Sequence, residues 1–425
     1  MELALYHPAY GYYMRTGIDD SAQRIGWDGD FYTSSDVHTV FGRLLGRQLE
    51  QIDQILGHPT PFTIMEMGPG KGTLAHDILQ AVSTHPSWLA RFRYVLIERS
   101  PAMRAAQQQT LAFWSSQPGL VSWTDSLEAV STESVGAFLS NELVDAFPVH
   151  RIRIIDGAAH ELTVTFRDGR FVEQTIPLVN PALRAYLQRL SDLGITLTEG
   201  QTADINLQAL TWMKQVAQAL AKGVVLTIDY GHTAQDLFGP ERRNGTLLGY
   251  CNQMLSEDPY HAVGLQDLTA HVDFSALAAA GEEAGLAVTG FTNQMSLLMS
   301  LGIEQELDRW EPGSREFQAI IQLLRPEGMG RTFKILIQHK GIPEPTLDGL
   351  RFRPFFGSAL TPTQARGTRR PFDPAQPATS SPRPELGTKA VESSGKPVEP
   401  EAMEEPSPPV HRLSPIAHCP SSDMP

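Results

Sequence analysis

Two cysteines in 425 residues, Cys251 and Cys419, stand far apart and outside any C-x-x-C spacing. That scarcity excludes a disulfide framework and a cysteine-based zinc site. Long apolar runs are missing as well: none reaches the roughly 18 residues that a membrane-spanning helix needs. Basic residues are outnumbered, 34 Lys and Arg against 48 Asp and Glu, for a net charge of −14. A chain of that sign lacks the basic surface that broad binding to nucleic acid or to an anionic membrane requires, although it leaves room for a local basic patch. The first residues show neither the charged, apolar and small-residue order of a signal peptide nor an Arg-rich transit segment. The chain reads as soluble and intracellular, and no grouping of residues points to a metal.

What is present is an apolar fraction of 41%, enough for a real core over most of the length. The length fits one large domain or two ordinary ones. Near residue 350 the composition turns to Pro, Ser, Glu and Thr, as in "TPTQARGTRRPFDPAQPATSSPRPELG". Such a stretch buries too little apolar surface to offset its ordering entropy, which predicts a disordered tail over 352–425 and a folded domain over 1–345. At the other end "MELALYHP" reads as the end of an amphipathic helix that starts before Met1.

Between those ends strands and helices alternate. "FTIMEMG", "FRYVLIE", "GLVSW", "VGAFLSNEL" and "KGVVLTIDYG" read as five strands in turn. Helical "TLAHDILQAV" follows the first, "SPAMRAAQQQTLAFW" the second, and the amphipathic "NLQALTWMKQVAQALAKG" precedes the fifth. "LAVTGFTNQ" and "TFKILIQHKG" offer two more strands late in the chain. Strands rich in Val, Ile and Leu on both faces belong to a parallel sheet covered by helices. The fold class is α/β, a doubly wound Rossmann-like core.

After the first strand comes "EMGPGKGTL", with glycines at Gly68, Gly70 and Gly72 and an acid, Glu66, two positions before the first. In a doubly wound sheet, ligands bind at the carboxyl ends of the strands, where such a turn lies. A Walker A loop is G-x-x-x-x-G-K followed by Ser or Thr; here Lys71 is followed by Gly72, so that reading fails. A dinucleotide fingerprint spaces its glycines first, third and sixth, whereas these fall first, third and fifth, and Pro69 removes an N–H that a pyrophosphate would use. What fits position by position is the E/D-x-G-x-G-x-G loop of S-adenosylmethionine methyltransferases. Their cofactor carries a sulfonium, an α-amino group and a carboxylate but no phosphate, so Glu66 suits it. Glu98 closes the second strand, where an acid accepts from both ribose hydroxyls. Asp125, after the third strand, is placed to reach the adenine edge or to be a solvated loop acid.

Further segments have the look of a site. In "GDFYTSSDVHTVFG", Ser34, Ser35 or Asp36 either cap the helix that follows or face a ligand. "SNELVDAFPVH" follows the fourth strand, where methyltransferases keep the residues that face the reacting methyl; Asn141, Glu142 and Asp145 are the candidates there. "IDYGH" ends the fifth strand with Asp229 and Tyr230. "DLTAHVDF" sets His271 and Asp273 two apart, as a site pair or as a core histidine and a helix start.

"LYHPAYGYY", "GDFYTSSDVHTVFG", "EMGPGKGTL", "SNELVDAFPVH", "IDYGH" and "DLTAHVDF" together, in this order and approximate spacing, resemble the MidA family. The resemblance covers about residues 1–340. Members are S-adenosylmethionine-dependent methyltransferases, and the mitochondrial member is an assembly factor of respiratory complex I that methylates an arginine of one of its subunits. The resemblance implies S-adenosyl-L-methionine as cofactor, a protein-arginine methyltransferase activity and a protein substrate, with a complex I subunit as candidate. It implies a bacterial cytoplasm or, in a eukaryote, a mitochondrial matrix. It also implies a substrate-side insert in the core. Here that insert falls at about 151–205, where "RIRIIDGAAHELTVTFRDGRFVEQTIP" reads as strands joined by turns at Asp156-Gly157 and Asp168-Gly169.

The chain departs from the family in three places, the first being that Met1 falls inside the helix that commonly precedes "LYHP". "TSSD" stands where "TSPE" is common, keeping an acid at Asp36 but losing the proline, and the Pro-rich tail has no counterpart. An arginine guanidinium arrives charged and is a poor nucleophile. A site for it must hold it with carboxylates, aim one nitrogen at the methyl and accept a proton. Glu142 and Asp145 form the candidate pair, with Asn141 beside them. Two other readings stay open: a methyltransferase for a small molecule or another side chain, and a cofactor-binding assembly chaperone without catalysis. Oligomers are compatible with all three.

Overall fold

The computed structural model describes residues 1–15, 24–27 and 29–352. The expected tail over 352–425 lies, but for its first residue, outside them. The alternating runs form β1 (Phe62–Met67), β2 (Phe92–Ile97), β3 (Val121–Thr124) and β4 (Ser134–Asn141), and then an excursion of β5 (His150–Ile155), β6 (Ala158–Arg167), β7 (Arg170–Pro177) and β8 (Thr202–Ile205). The chain returns as β9 (Leu220–His232). Three short strands, β10 (Leu248–Cys251), β11 (Met254–Ser256) and β12 (Asp267–Thr269), form a separate small sheet. β13 (Val272–Asp273), β14 (Ala287–Asn293) and β15 (Phe333–Lys340) complete the core.

The main sheet runs β14-β15-β9-β4-β1-β2-β3, with β13 beside the end of β9. β1, β2, β3, β4 and β9 pair in parallel. β15 is antiparallel to both β9 and β14, so the sheet is mixed and not wholly parallel as expected. The reason is connective: the helical segment after β14 brings the chain back at the strand's own carboxyl end, with Phe333 opposite Tyr230, and the next strand must run the other way.

Both faces of this sheet are buried, as unbroken apolar strands require. On β1, Phe62 and Ile64 belong to one core and Met65 to the other; on β9, Val224, Leu226 and Ile228 face one side and Val225 the other. The Leu207–Ala219 helix starts because Asn206 accepts from Ala209 N at 2.9 Å, and it buries Ala209, Trp212, Met213, Val216 and Ala217. That i, i+3, i+4 stripe is the apolar face of an amphipathic helix. The Val40–Ile55 helix does the same on the opposite face with Phe41, Leu44, Leu45, Leu49 and Ile52.

In the excursion, β7, β6, β5 and β8 form an antiparallel sheet. Its tight turns fall at Asp156-Gly157 (φ 50° and 72°) and Asp168-Gly169 (φ 51° and 75°), a pair of left-handed residues in each that matches the twist of a hairpin. The Pro181–Asp192 helix packs Leu183, Tyr186 and Leu190 into a third core with Ile152 and Ile205. At the N-terminus, Leu5 and Tyr12 pack with Ala146 and Leu268, which lays the first residues beside the loop after β4.

Candidate active site

Strand order reverses between β1 and β4, and a cleft opens at the carboxyl ends of the strands there. Glu66, Gly68 and Gly70 line it from β1, Glu98 from β2, Asp125 from the end of β3, and Asn141 and Glu142 from β4. Tyr6 and Tyr13 line it from the N-terminal segment. Two of the sequence candidates, Gly72 and Asp145, are not among its lining residues. Gly72 is the left-handed N-cap (φ 83°) of the Thr73–Val82 helix. Asp145 is buried off the cleft wall, and its carbonyl accepts from Ala270 N at 2.9 Å.

The glycine loop has the shape of a cradle. Gly70 has φ 53°, and a Cβ built on it meets nothing within 4 Å. The position therefore combines a backbone that side-chain-bearing residues rarely adopt with open space above it. The loop is tied to its surroundings by Gln107, which is fully buried. Its Nε2 donates to Gly70 O at 2.8 Å and to Glu98 Oε2 at 3.3 Å, and its Oε1 accepts from Trp123 Nε1 at 3.1 Å. One side chain thus links the carboxyl ends of β1, β2 and β3. Nothing in "AAQQQT" marked it. Glu98 Oε1 also accepts from Ser100 N at 2.7 Å, and burial holds its carboxyl above the usual range. Glu66 lies deeper, 2% exposed, and accepts from Tyr94 OH at 2.6 Å. Burial pushes its carboxyl up to about 7.

On the β4 side the acids crowd together. Glu142 sits at φ 53°, a strained conformation for a residue with a side chain. Its Oε1 accepts from Asn141 Nδ2 at 3.0 Å and Ser34 N at 3.3 Å, and its Oε2 from Tyr230 OH at 3.3 Å. Burial first, and then the charge of Asp229, push its carboxyl up to about 8. Asp229 explains how the loop holds that shape. It is fully buried, and its Oδ2 accepts from three successive amides, Leu143 N at 3.1 Å, Val144 N at 2.8 Å and Asp145 N at 3.4 Å. Asp145 is raised by burial, by Asp229, by Asp267 and by Glu142. Asp267 accepts from Tyr13 OH at 2.6 Å and is itself pushed up to about 6 by burial. Among the described residues none of these four carboxyls forms an ion pair with arginine or lysine.

Other candidates resolve differently. Asp36 Oδ2 accepts from Thr33 N at 3.0 Å, which closes a capping box, while Ser35 and Asp36 also line the cleft. Asp273 is a helix N-cap, accepting from Ala276 N at 3.0 Å, and it also takes Tyr186 OH at 2.6 Å and Arg189 Nη2 at 2.9 Å. His271 lies beside His232, the rings tilted by 37° with centres 5.3 Å apart, and burial pushes it down to about 4, so it is neutral. Among the described residues there is no group of three or more acids, histidines or cysteines able to hold a metal, and no helix long and apolar enough to cross a membrane.

The β-strand order, the glycine cradle and the ring of acids define a class I type of S-adenosylmethionine methyltransferase site. The sequence pattern of a family of S-adenosyl-L-methionine-dependent methyltransferases matches residues 44–292, and this chain belongs to that family, the MidA-like methyltransferases. Among curated relatives it is similar to "Protein arginine methyltransferase NDUFAF7 homolog, mitochondrial" of Drosophila melanogaster, 29% identical over 82% of this chain and 82% of that one. It is similar to the Homo sapiens protein of the corresponding name, 28% identical over 83% of this chain and 81% of that one. Among solved structures it resembles a Burkholderia thailandensis protein bound to S-adenosyl-homocysteine, at 30% identity and a TM-score of 0.73, over 82% of this chain and 88% of that one. The cofactor is S-adenosyl-L-methionine. The residues present fit it: an open cradle at Gly70, carboxyls for its hydroxyls and cationic groups, and no need of a phosphate site.

Proposed function

We propose that this chain transfers the methyl group of S-adenosylmethionine to a guanidinium nitrogen of a protein arginine. The observation that carries this reading is the β4 side of the cleft, where half-buried Glu142 lines the wall and the buried Asp145, Asp229 and Asp267 lie off it, none of the four paired with a lysine or arginine among the described residues. Buried like charges are costly unless a counter-charge or a proton relieves them. A cation brought by the substrate is the partner this reading gives Glu142, which of the four lines the cleft; Asp229 and Asp267 already take amide and tyrosine donors. The names of the fly and human relatives support the same choice. A subunit of respiratory complex I is the candidate target, which places the reaction in a mitochondrial matrix or a bacterial cytoplasm.

In this reading Glu66, Gly68, Gly70, Glu98 and Asp125 hold the cofactor and Asn141 and Glu142 serve the reaction, while Gly72 shapes the glycine loop as a helix N-cap and Asp145 supports the loop after β4. The bound cofactor supplies an electrophilic methyl on a sulfonium. Glu142 faces the cleft and grips the guanidinium, while Asp145, raised by burial and by its acidic neighbours, keeps its proton and holds the loop against Ala270 through its carbonyl. A carboxyl pushed up to about 8 is a base of useful strength near neutral pH. Glu142 would accept the proton that the guanidinium nitrogen sheds on taking the methyl, with S-adenosylhomocysteine as the leaving group. Tyr230 OH and Asn141 Nδ2 keep the carboxyl aimed throughout.

The test is methyl transfer from labelled cofactor into extract of cells that lack this chain, followed by mass spectrometry. Label recovered as methylarginine in a protein supports the reading. Label on another side chain or on a metabolite replaces the substrate class, and cofactor binding without transfer removes it.

A further inference from the structure

S-adenosylmethionine carries two cationic groups and one anion, its methionyl carboxylate. The cleft answers the cations generously, since Asp36, Glu66, Glu98, Asp125 and Glu142 all line it. For the anion the described lining offers two cations, Lys71 and Arg99. Arg99 directly follows Glu98 at the end of β2, and its guanidinium lies over the ring of Tyr6 at 3.9 Å. Tyr6 OH in turn donates to Ala146 O at 3.0 Å, so Arg99 is held against the N-terminal segment beside the loop after β4. The amino-acid arm of a cofactor whose ribose sits at Glu98 would lie over the glycine loop. Lys71 stands within that loop, between Gly70 and Gly72.

The loop opposite makes room for the lysine head. Lys71 Nζ donates to Ile25 O at 2.7 Å. The next residue, Gly26, has φ 111°, and a Cβ built on it would lie 2.6 Å from Nζ. An ammonium has three donors, and one carbonyl uses one of them. Among the described residues Lys71 has no carboxylate partner. A half-buried cation held by one neutral acceptor, on the wall of a cleft otherwise lined with acids, is placed for an anion.

We propose that Lys71 binds the methionyl carboxylate of the cofactor and so fixes the amino-acid arm over the glycine loop. The remaining two ammonium donors form charge-assisted hydrogen bonds, the strong kind. The assignment concerns the cofactor alone and is independent of which substrate is methylated.

Two probes separate this role from a merely structural one. S-adenosylhomocysteine carries the carboxylate; 5′-methylthioadenosine keeps the adenosine and sulfur but lacks the amino-acid arm. Binding of each is measured by calorimetry for the wild type, Lys71→Met and Lys71→Arg. Lys71→Met should weaken S-adenosylhomocysteine by about 10- to 100-fold and leave 5′-methylthioadenosine within about 2-fold, with Lys71→Arg close to wild type. Equal losses for both probes, or none for S-adenosylhomocysteine, would overturn the assignment. If Lys71→Met does not fold, Lys71→Gln keeps a donor for Ile25 O while removing the charge, and the same two outcomes decide.

Discussion

Glu98 and Glu142 both line the cleft and are held by different means. Glu98 takes its donors from nearby chain, Ser100 two residues away and Gln107 nine. Glu142 shares a contact with Asn141 beside it, but its other donors come from Ser34, 108 residues distant, and Tyr230, 88 distant. The amides that follow Glu142 are gathered by Asp229, 84 to 86 residues away. The cofactor side is therefore a local structure, a turn and two strand ends that any sheet of this order would place. The β4 side exists only when the N-terminal segment, β4, β9 and the β12 strand are all assembled. The first kind of site tolerates a changed fold around it; the second reports on the whole fold.

The sharpest way to break the local half is Gly70→Val. The substitution places a branched side chain in the open cradle and demands φ 53° of a residue that strongly resists it. Cofactor binding should fall below detection by calorimetry while the circular dichroism of the fold is kept. Tight binding in a folded variant would show that the cofactor does not cross this loop.

On the other half, Glu142→Gln keeps shape and hydrogen bonds but removes the base. Turnover should fall by about 10²- to 10⁴-fold, the usual contribution of general acid–base catalysis, with cofactor affinity unchanged. In the wild type, kcat/KM should rise with pH and level off above about 8, because the free enzyme must lose the proton that burial and Asp229 favour. The limb in kcat should lie lower, since a bound guanidinium favours the carboxylate. Undiminished transfer in Glu142→Gln would leave a methyltransferase without the proposed arginine grip.

A smaller effect is expected at the ribose. Glu98→Gln retains an oxygen for Ser100 N but loses the charge that strengthens bonds from the hydroxyls. Affinity for S-adenosylhomocysteine should drop by about 1–3 kcal/mol with the melting temperature of the free protein nearly unchanged. A large loss of melting temperature with unaltered affinity would make Glu98 a brace for its helix and not a ligand.

The same contrast governs what could be read from the sequence. β1, the glycine loop, the Thr73–Val82 helix and Glu98 lie within one short stretch, and period, turn chemistry and charge are all local signals there. The two hairpin turns of the insert were legible for the same reason, each announced by Asp-Gly. The antiparallel entry of β15 was not, because strand direction depends on where a long connection returns. Nor was Gln107, one of three successive glutamines, whose role comes from which of them faces the loop. Asp145 and Asp229 were marked as site residues by their place after strands. That Asp229 serves by collecting backbone amides, and that Asp145 lies off the cleft wall, depends on contacts between distant segments.

The smallest predicted effect separates the halves by stability. Glu66 is buried beneath the glycine loop, and its carboxyl is raised from 4.5 to about 7, chiefly by burial, with the Tyr94 hydroxyl opposing. A carboxyl raised in the folded state binds its proton more tightly there than in the unfolded chain. Its contribution is fully present below about pH 4.5 and is lost as pH rises through about 7. The free protein should therefore melt at progressively lower temperature across that window. Glu66→Gln, neutral throughout and still able to accept from Tyr94 OH, should flatten the dependence there while Glu142→Gln flattens it higher, toward pH 8. Melting curves of the three proteins between pH 4.5 and 8.5 check this. A Glu66→Gln protein that follows the wild-type slope would mean that Glu66 is already ionised in the folded free protein, with water reaching it through the cleft, and the local half would then be the more open of the two.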